Sequence, residues 1–175
     1  AKLQSRYPRT NGRQLFDAWQ SASMIYPLTT GFHYGPLDFQ WYIEASKSRP
    51  EPAQTASGFH DIHRFVTLPP YKATQTLSIP EYVKIKDKGA SEATTPFDIA
   101  EKIHHAADDA LVGAPDILIV NDELFKTIED IRTMAYLGKY YAHKISAATH
   151  LAIFNADSTI ANRDAAINEL NHSAH

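Results

Sequence analysis

Two carboxylates, Asp38 and Glu44, flank Trp41 and Tyr42 in the stretch GFHYGPLDFQWYIE, residues 31–44. Cleaving a glycosidic bond takes two carboxyl groups, and an aromatic face beside them gives the apolar side of a sugar ring a surface to stack on. His33, Tyr34 and Gln40, with His60, Asp61, His63 and Arg64 a little further on, add the polar-tipped rings and charges that hydroxyl-rich ligands meet. The same residues admit a plainer reading, in which Phe32, Phe39, Trp41 and Ile43 are core, Asp38 caps a short helix and Glu44 is solvated. Helical spacing predicts a division. Phe39 and Ile43, four apart, face the interior, while His33, Tyr34, Asp38, Trp41 and Tyr42 lie toward a groove shared with His60, Asp61 and Arg64. With Glu44 these residues form the candidate ligand-binding set, and none of them is assigned a catalytic role.

Other chemistries find less support. His60 and His63 are spaced i, i+3 and could share a metal with Asp61 or Asp38, but no HExxH or comparable motif accompanies them. His104/Asp108 and His105/Asp109 are i, i+4 pairs expected to make surface contacts. His143 and His150 stand about 10.5 Å apart along a helix axis, too far to share one ion, and are expected to be structural. No GxSxG or SxxK motif offers a nucleophilic Ser, and the seven Gly are scattered rather than gathered into a phosphate-cradling loop. No metal and no cofactor is expected.

Composition narrows the partners. The net charge of -3 gives no basic footprint for nucleic acid, and the short cluster Lys2, Arg6, Arg9, Arg13 does not change that. No run approaches the roughly 18 apolar residues of a membrane span. With no Cys, disulfides and thiolate zinc sites are excluded. That absence fits a secreted or periplasmic bacterial protein as readily as a cytosolic one.

The elements that would position these residues are mostly helical. Asn11 or Thr10 caps a first helix with Leu15, Ala18, Trp19, Ala22 and Ile25 on one face, and Pro27 is expected to stop it. A short helix follows over about 38–46, then the loop RPEPAQTAS, then one helical turn near Phe59–Phe65. The alternation of Val83 and Ile85 suggests a brief extended piece. Thr95-Pro96-Phe97-Asp98 is an N-cap, a Pro at the first helical position and an acid in the first turn, opening a helix that buries Ile99, Ile103, Ala107, Ala110 and Leu111 until Gly113-Ala114-Pro115. From Asp122 to about Phe154 apolar residues recur alternately four and three apart, the mark of a long central helix contacted on more than one side. A short break at Asn155–Ser158 forces an antiparallel hairpin with a last helix striped by Ile160, Ile167, Leu170 and Ala174. The expected fold is all-α: a helical bundle with a long central helix and an antiparallel hairpin, plus a loop-rich aromatic N-terminal half. Residues 1–175 are expected to form a single helical domain, a fragment of a larger multidomain chain.

The segment GRQLFDAWQSASMIYPLTTGFHYGPLDFQWYIEA, with FHDIHRF, TPFDIAEKIHHAADDAL and YLGKYYAHKISAATHLAIF, resembles the helical region that follows the catalytic barrel in large bacterial glycan-degrading enzymes of the α-glucuronidase-like kind. The resemblance covers most of the chain and rests on pattern rather than on one diagnostic motif. It implies an accessory C-terminal domain of a carbohydrate-active hydrolase, periplasmic or extracellular, inactive alone. Its partners would be the catalytic barrel of its own parent chain and an oligosaccharide. The alternative, of a different class, is a self-contained helical module that binds a protein partner through its aromatic-rich half.

Overall fold

A computed structural model of the chain describes residues 2–8, 10–33, 61–88, 92–115 and 122–173. Among them 81% are helical and none lies in a strand, so the fold is all-α. The α-helices are α1 (Lys2–Arg6), α2 (Gly12–Phe32), α3 (Ile62–Thr67), α4 (Ile79–Ile85), α5 (Pro96–Gly113), α6 (Asp122–Asp157) and α7 (Ile160–Ser173), with a 3-10 turn at Lys72–Thr74.

The 36-residue α6 is the axis of the molecule, touched by α2, α3, α4, α5 and α7. Its buried positions Leu124, Ile128, Ile131, Ala135, Gly138, Ala142 and Ile145 follow the alternating four-three spacing of the sequence. α5 runs antiparallel to it, since Asp108 meets Lys139, His104 meets His143 and Phe97 meets His150. α7 also runs antiparallel to α6, with His150 against Asn162 and His143 against Glu169. Leu15, Ile25, Phe32, Phe65, Ile79, Ile103 and Ile145 fill the interior between α2, α3, α4, α5 and α6.

The helix starts follow from side-chain caps. Asn11 accepts from the backbone N–H of Arg13 and Gln14, and Thr95 and Asp98 form a reciprocal capping box with Pro96 inside the first turn. Four elements depart from expectation. α2 does not stop at Pro27 but continues to Phe32. A Pro inside a helix costs about 3 kcal/mol, yet Thr29 and Phe32 beyond it are buried, while Ser23, whose carbonyl loses its donor, is on the exposed face. Trp19, expected in the core, is 48% exposed. Val83 and Ile85 lie in a helix, α4, because Ser78 and Glu81 make a second capping box around Pro80. Ile160, Ile167 and Leu170 of α7 are exposed rather than buried, and Ala166 is the buried residue of that helix. α1, absent from the sequence reading, is tied down by a backbone bond from Gly12 to the Gln4 side chain and by Arg6 on Glu123.

Candidate functional site

Of the nine candidate ligand-binding residues, Tyr34, Asp38, Trp41, Tyr42, Glu44 and His60 lie outside the described residues, as do Phe39 and Ile43. The other three are His33, Asp61 and Arg64. His33 closes α2, where its N–H donates to the Thr29 carbonyl, and it is fully buried. Its ring lies flat on Phe65, centroids 4.0 Å apart and planes 13° from parallel. His33 is thus an interior residue, carried into the bundle by the continuation of α2 past Pro27. Asp61 is the N-cap of α3 and accepts from the backbone N–H of Arg64 at 2.9 Å. Arg64 is half-buried in the first turn of that helix, and His63 is exposed.

Phe65 then continues into a cluster on α6. Tyr141 stacks at 6.5 Å, and Nζ of the buried Lys144 lies 4.8 Å from the Phe65 centroid and 5.1 Å from that of Tyr140, whose hydroxyl accepts its hydrogen bond at 2.8 Å. Ring faces and a phenol oxygen take over part of what water would give the ammonium. His33, Phe65, Tyr141 and Lys144 thus knit α2 and α3 onto α6.

A second arrangement was not anticipated. α5, α6 and α7 together wall a cleft of about 400 Å³ lined by Phe97, Glu101, His104, His143, Ser146 and Glu169, among others. The Nδ1–H of His143 donates to Glu169 at 2.7 Å, and its ring lies 5.6 Å from those of both His104 and His172. Asp108, 3.4 Å from His104, is held below the usual carboxylate range chiefly by the Lys139 ammonium 2.7 Å away. The expected His104/Asp108 pair is present, but His105 pairs with Glu101 rather than with Asp109. An imidazole oriented by a carboxylate can hold a proton or hydrogen-bond a polar ligand. Among the described residues no group of three or more His or carboxylate side chains is placed to hold a metal ion. The seven-residue spacing of His143 and His150 places both on one face of α6, where α7 supplies Glu169 and Asn162 opposite them; of these four, His143 and Glu169 line the cleft.

The third feature is a surface. Phe16, Trp19 and Tyr26 of α2 are 51%, 48% and 46% exposed, on the flank of the stripe that the helix buries in the core. At the Phe16 end a groove of about 570 Å³ opens between α1 and α2, with Lys2, Gln4, Asn11 and Arg13 on its walls. Three exposed rings, one of them on a groove with both polar and apolar walls, have the composition of an interaction surface. No described helix is long and apolar enough to cross a membrane. Comparison of the chain with family models, with curated proteins and with solved structures returns no match.

Proposed function

We propose that the chain is an accessory helical domain of a carbohydrate-active hydrolase, lining or supporting a glycan site and docked on the catalytic barrel of its own parent chain. The observation that carries this reading is the set of exposed rings Phe16, Trp19 and Tyr26 on a helix that buries its other apolar stripe in the core. Buried rings contribute stability to a monomer; rings in water contribute little until a partner covers them. The choice of partner rests on the sequence resemblance of GRQLFDAWQSASMIYPLTTGFHYGPLDFQWYIEA, FHDIHRF, TPFDIAEKIHHAADDAL and YLGKYYAHKISAATHLAIF to the helical region behind glycan-degrading barrels. In this reading the long α6 is a rigid spine that presents α2 to the barrel, and catalytic carboxylates belong to the barrel.

The coding sequence and an activity assay test this together. The reading expects the open reading frame before Ala1 to encode a barrel, and it expects the 175-residue protein to turn over no aryl glycoside. An initiator codon directly before Ala1, or turnover by the purified protein, contradicts it. The first of those outcomes favours a free-standing interaction module that uses the same α2 surface for a separate protein.

A further inference from the structure

We propose that α7 is a hinged strap, opening from α6 as a unit of its own while the remaining helices stay folded, with His143–Glu169 and His150–Asn162 as the latches that hold it shut. Four observations point the same way. Ala166, the buried residue of α7, lies outside the main core that runs from Tyr7 to Ala148, as do the buried Ala147 and Ile153 of α6. The large apolar side chains of α7 add little to its seat, since Ile160 and Ile167 are 56% and 50% exposed and Leu170 is exposed as well. Alanines let the two helices approach closely, but they remove little apolar area from water. The joint is Ser158 and Thr159 alone, with Ser158 at φ 58 in the left-handed region and the Asp157 carboxylate accepting from the Thr159 N–H. A non-glycine residue at positive φ marks a sharp local turn of the backbone.

The latches supply what the apolar contact lacks. His143 and His150 stand seven apart on α6, and Asn162 and Glu169 stand seven apart on α7, so the antiparallel pairing closes both bonds at once, at 2.7 Å and 3.0 Å. Glu169 is also a wall of the cleft, so lifting α7 removes that wall. Segments with few buried apolar contacts open locally at a free energy below that of global unfolding.

Amide hydrogen exchange of the 175-residue protein at one fixed pH reads this out. In the unsubstituted protein the α7 amides are expected to exchange at least about tenfold faster than the α6 amides over 128–148. Asn162→Ala with Glu169→Ala should raise α7 exchange roughly tenfold further, the scale of two lost hydrogen bonds, and leave α6 over 128–148 unchanged. Asn171→Ala, an exposed α7 change away from the latches, should leave α7 exchange within about twofold, because surface changes of that kind have small effects. Equal protection of α7 and α6, equal acceleration of both helices in the double variant, or an Asn171→Ala effect as large as the latch effect overturns the proposal.

Discussion

Gly138 of α6 faces Ile25 of α2 so closely that a Cβ on the glycine would stand 2.9 Å from Cδ1 of Ile25 and 3.2 Å from its Cγ1 and Cγ2. The small residue serves the crossing of α6 with α2, not the hairpin with α7. Ile25 is buried and β-branched, so it has little room to turn aside. Gly138→Ala gains about 1 kcal/mol of helix propensity but overpacks a core contact, which costs about 1 to 3 kcal/mol. A net loss of about 1 kcal/mol is expected in chemical denaturation. Ile25→Val removes the nearest clashing atom, so the double variant should be less destabilised than the sum of the two singles.

Phe65 is the other structural pivot. It is fully buried and contacts His33, Tyr141 and Lys144 from two other helices. Phe65→Ala should lower stability by about 3 to 5 kcal/mol, read as a shift of the urea midpoint. Phe65→Leu keeps most of the volume and should lose less.

Acid should weaken the helix starts before it weakens the core. The carboxyl of Asp98 is held below its ordinary range by the Thr95 backbone and hydroxyl, and that of Glu81 by the Ser78 hydroxyl and backbone. A depressed folded-state pKa means stability that is fully present above the unfolded value, about 4, and lost as pH falls through the lower folded value. Unfolding midpoints should therefore be insensitive to these two groups between about pH 5 and 8 and fall below about pH 4. Thr95→Ala should remove about 1 kcal/mol near neutrality and flatten part of the acid decline. An acid decline unchanged in that variant would show that the Thr95 hydroxyl plays no part in it, since the backbone N–H of residue 95 still donates to Asp98.

The long helix, its partner α5 and the all-α class were legible because four-three spacing and the Thr95-Pro96 start are local signals that tertiary packing reinforces. Pro27 misled because its local cost is smaller than the burial of Thr29 and Phe32 beyond it. Val83 and Ile85 misled because two apolar residues fit either period, and the deciding signal was the Ser78–Glu81 box upstream. Trp19 sits at the margin of the α2 apolar stripe, where sequence cannot say which flank a neighbour covers. The cleft was hidden for a different reason: His104, His143 and Glu169 come from three helices, and only the antiparallel register brings them together. Of the predicted aromatic site, Asp61 could have been read as a helix cap from its position just before Ile62.

The exposed rings on α2 should be nearly silent in stability and decisive in docking. Phe16→Ala with Trp19→Ala is expected to shift the unfolding free energy by less than about 1 kcal/mol, since both side chains are about half exposed. A loss several times larger would place these rings in the protein's own core.

The most direct measurement is a calorimetric titration of the 175-residue protein against the catalytic barrel that the proposed function expects upstream of it, with and without the Phe16→Ala/Trp19→Ala pair. The account predicts a one-to-one complex whose affinity falls at least about tenfold in the double variant, the loss of roughly 1.4 kcal/mol expected when aromatic anchors leave an interface. No complex, or a complex indifferent to both substitutions, contradicts it.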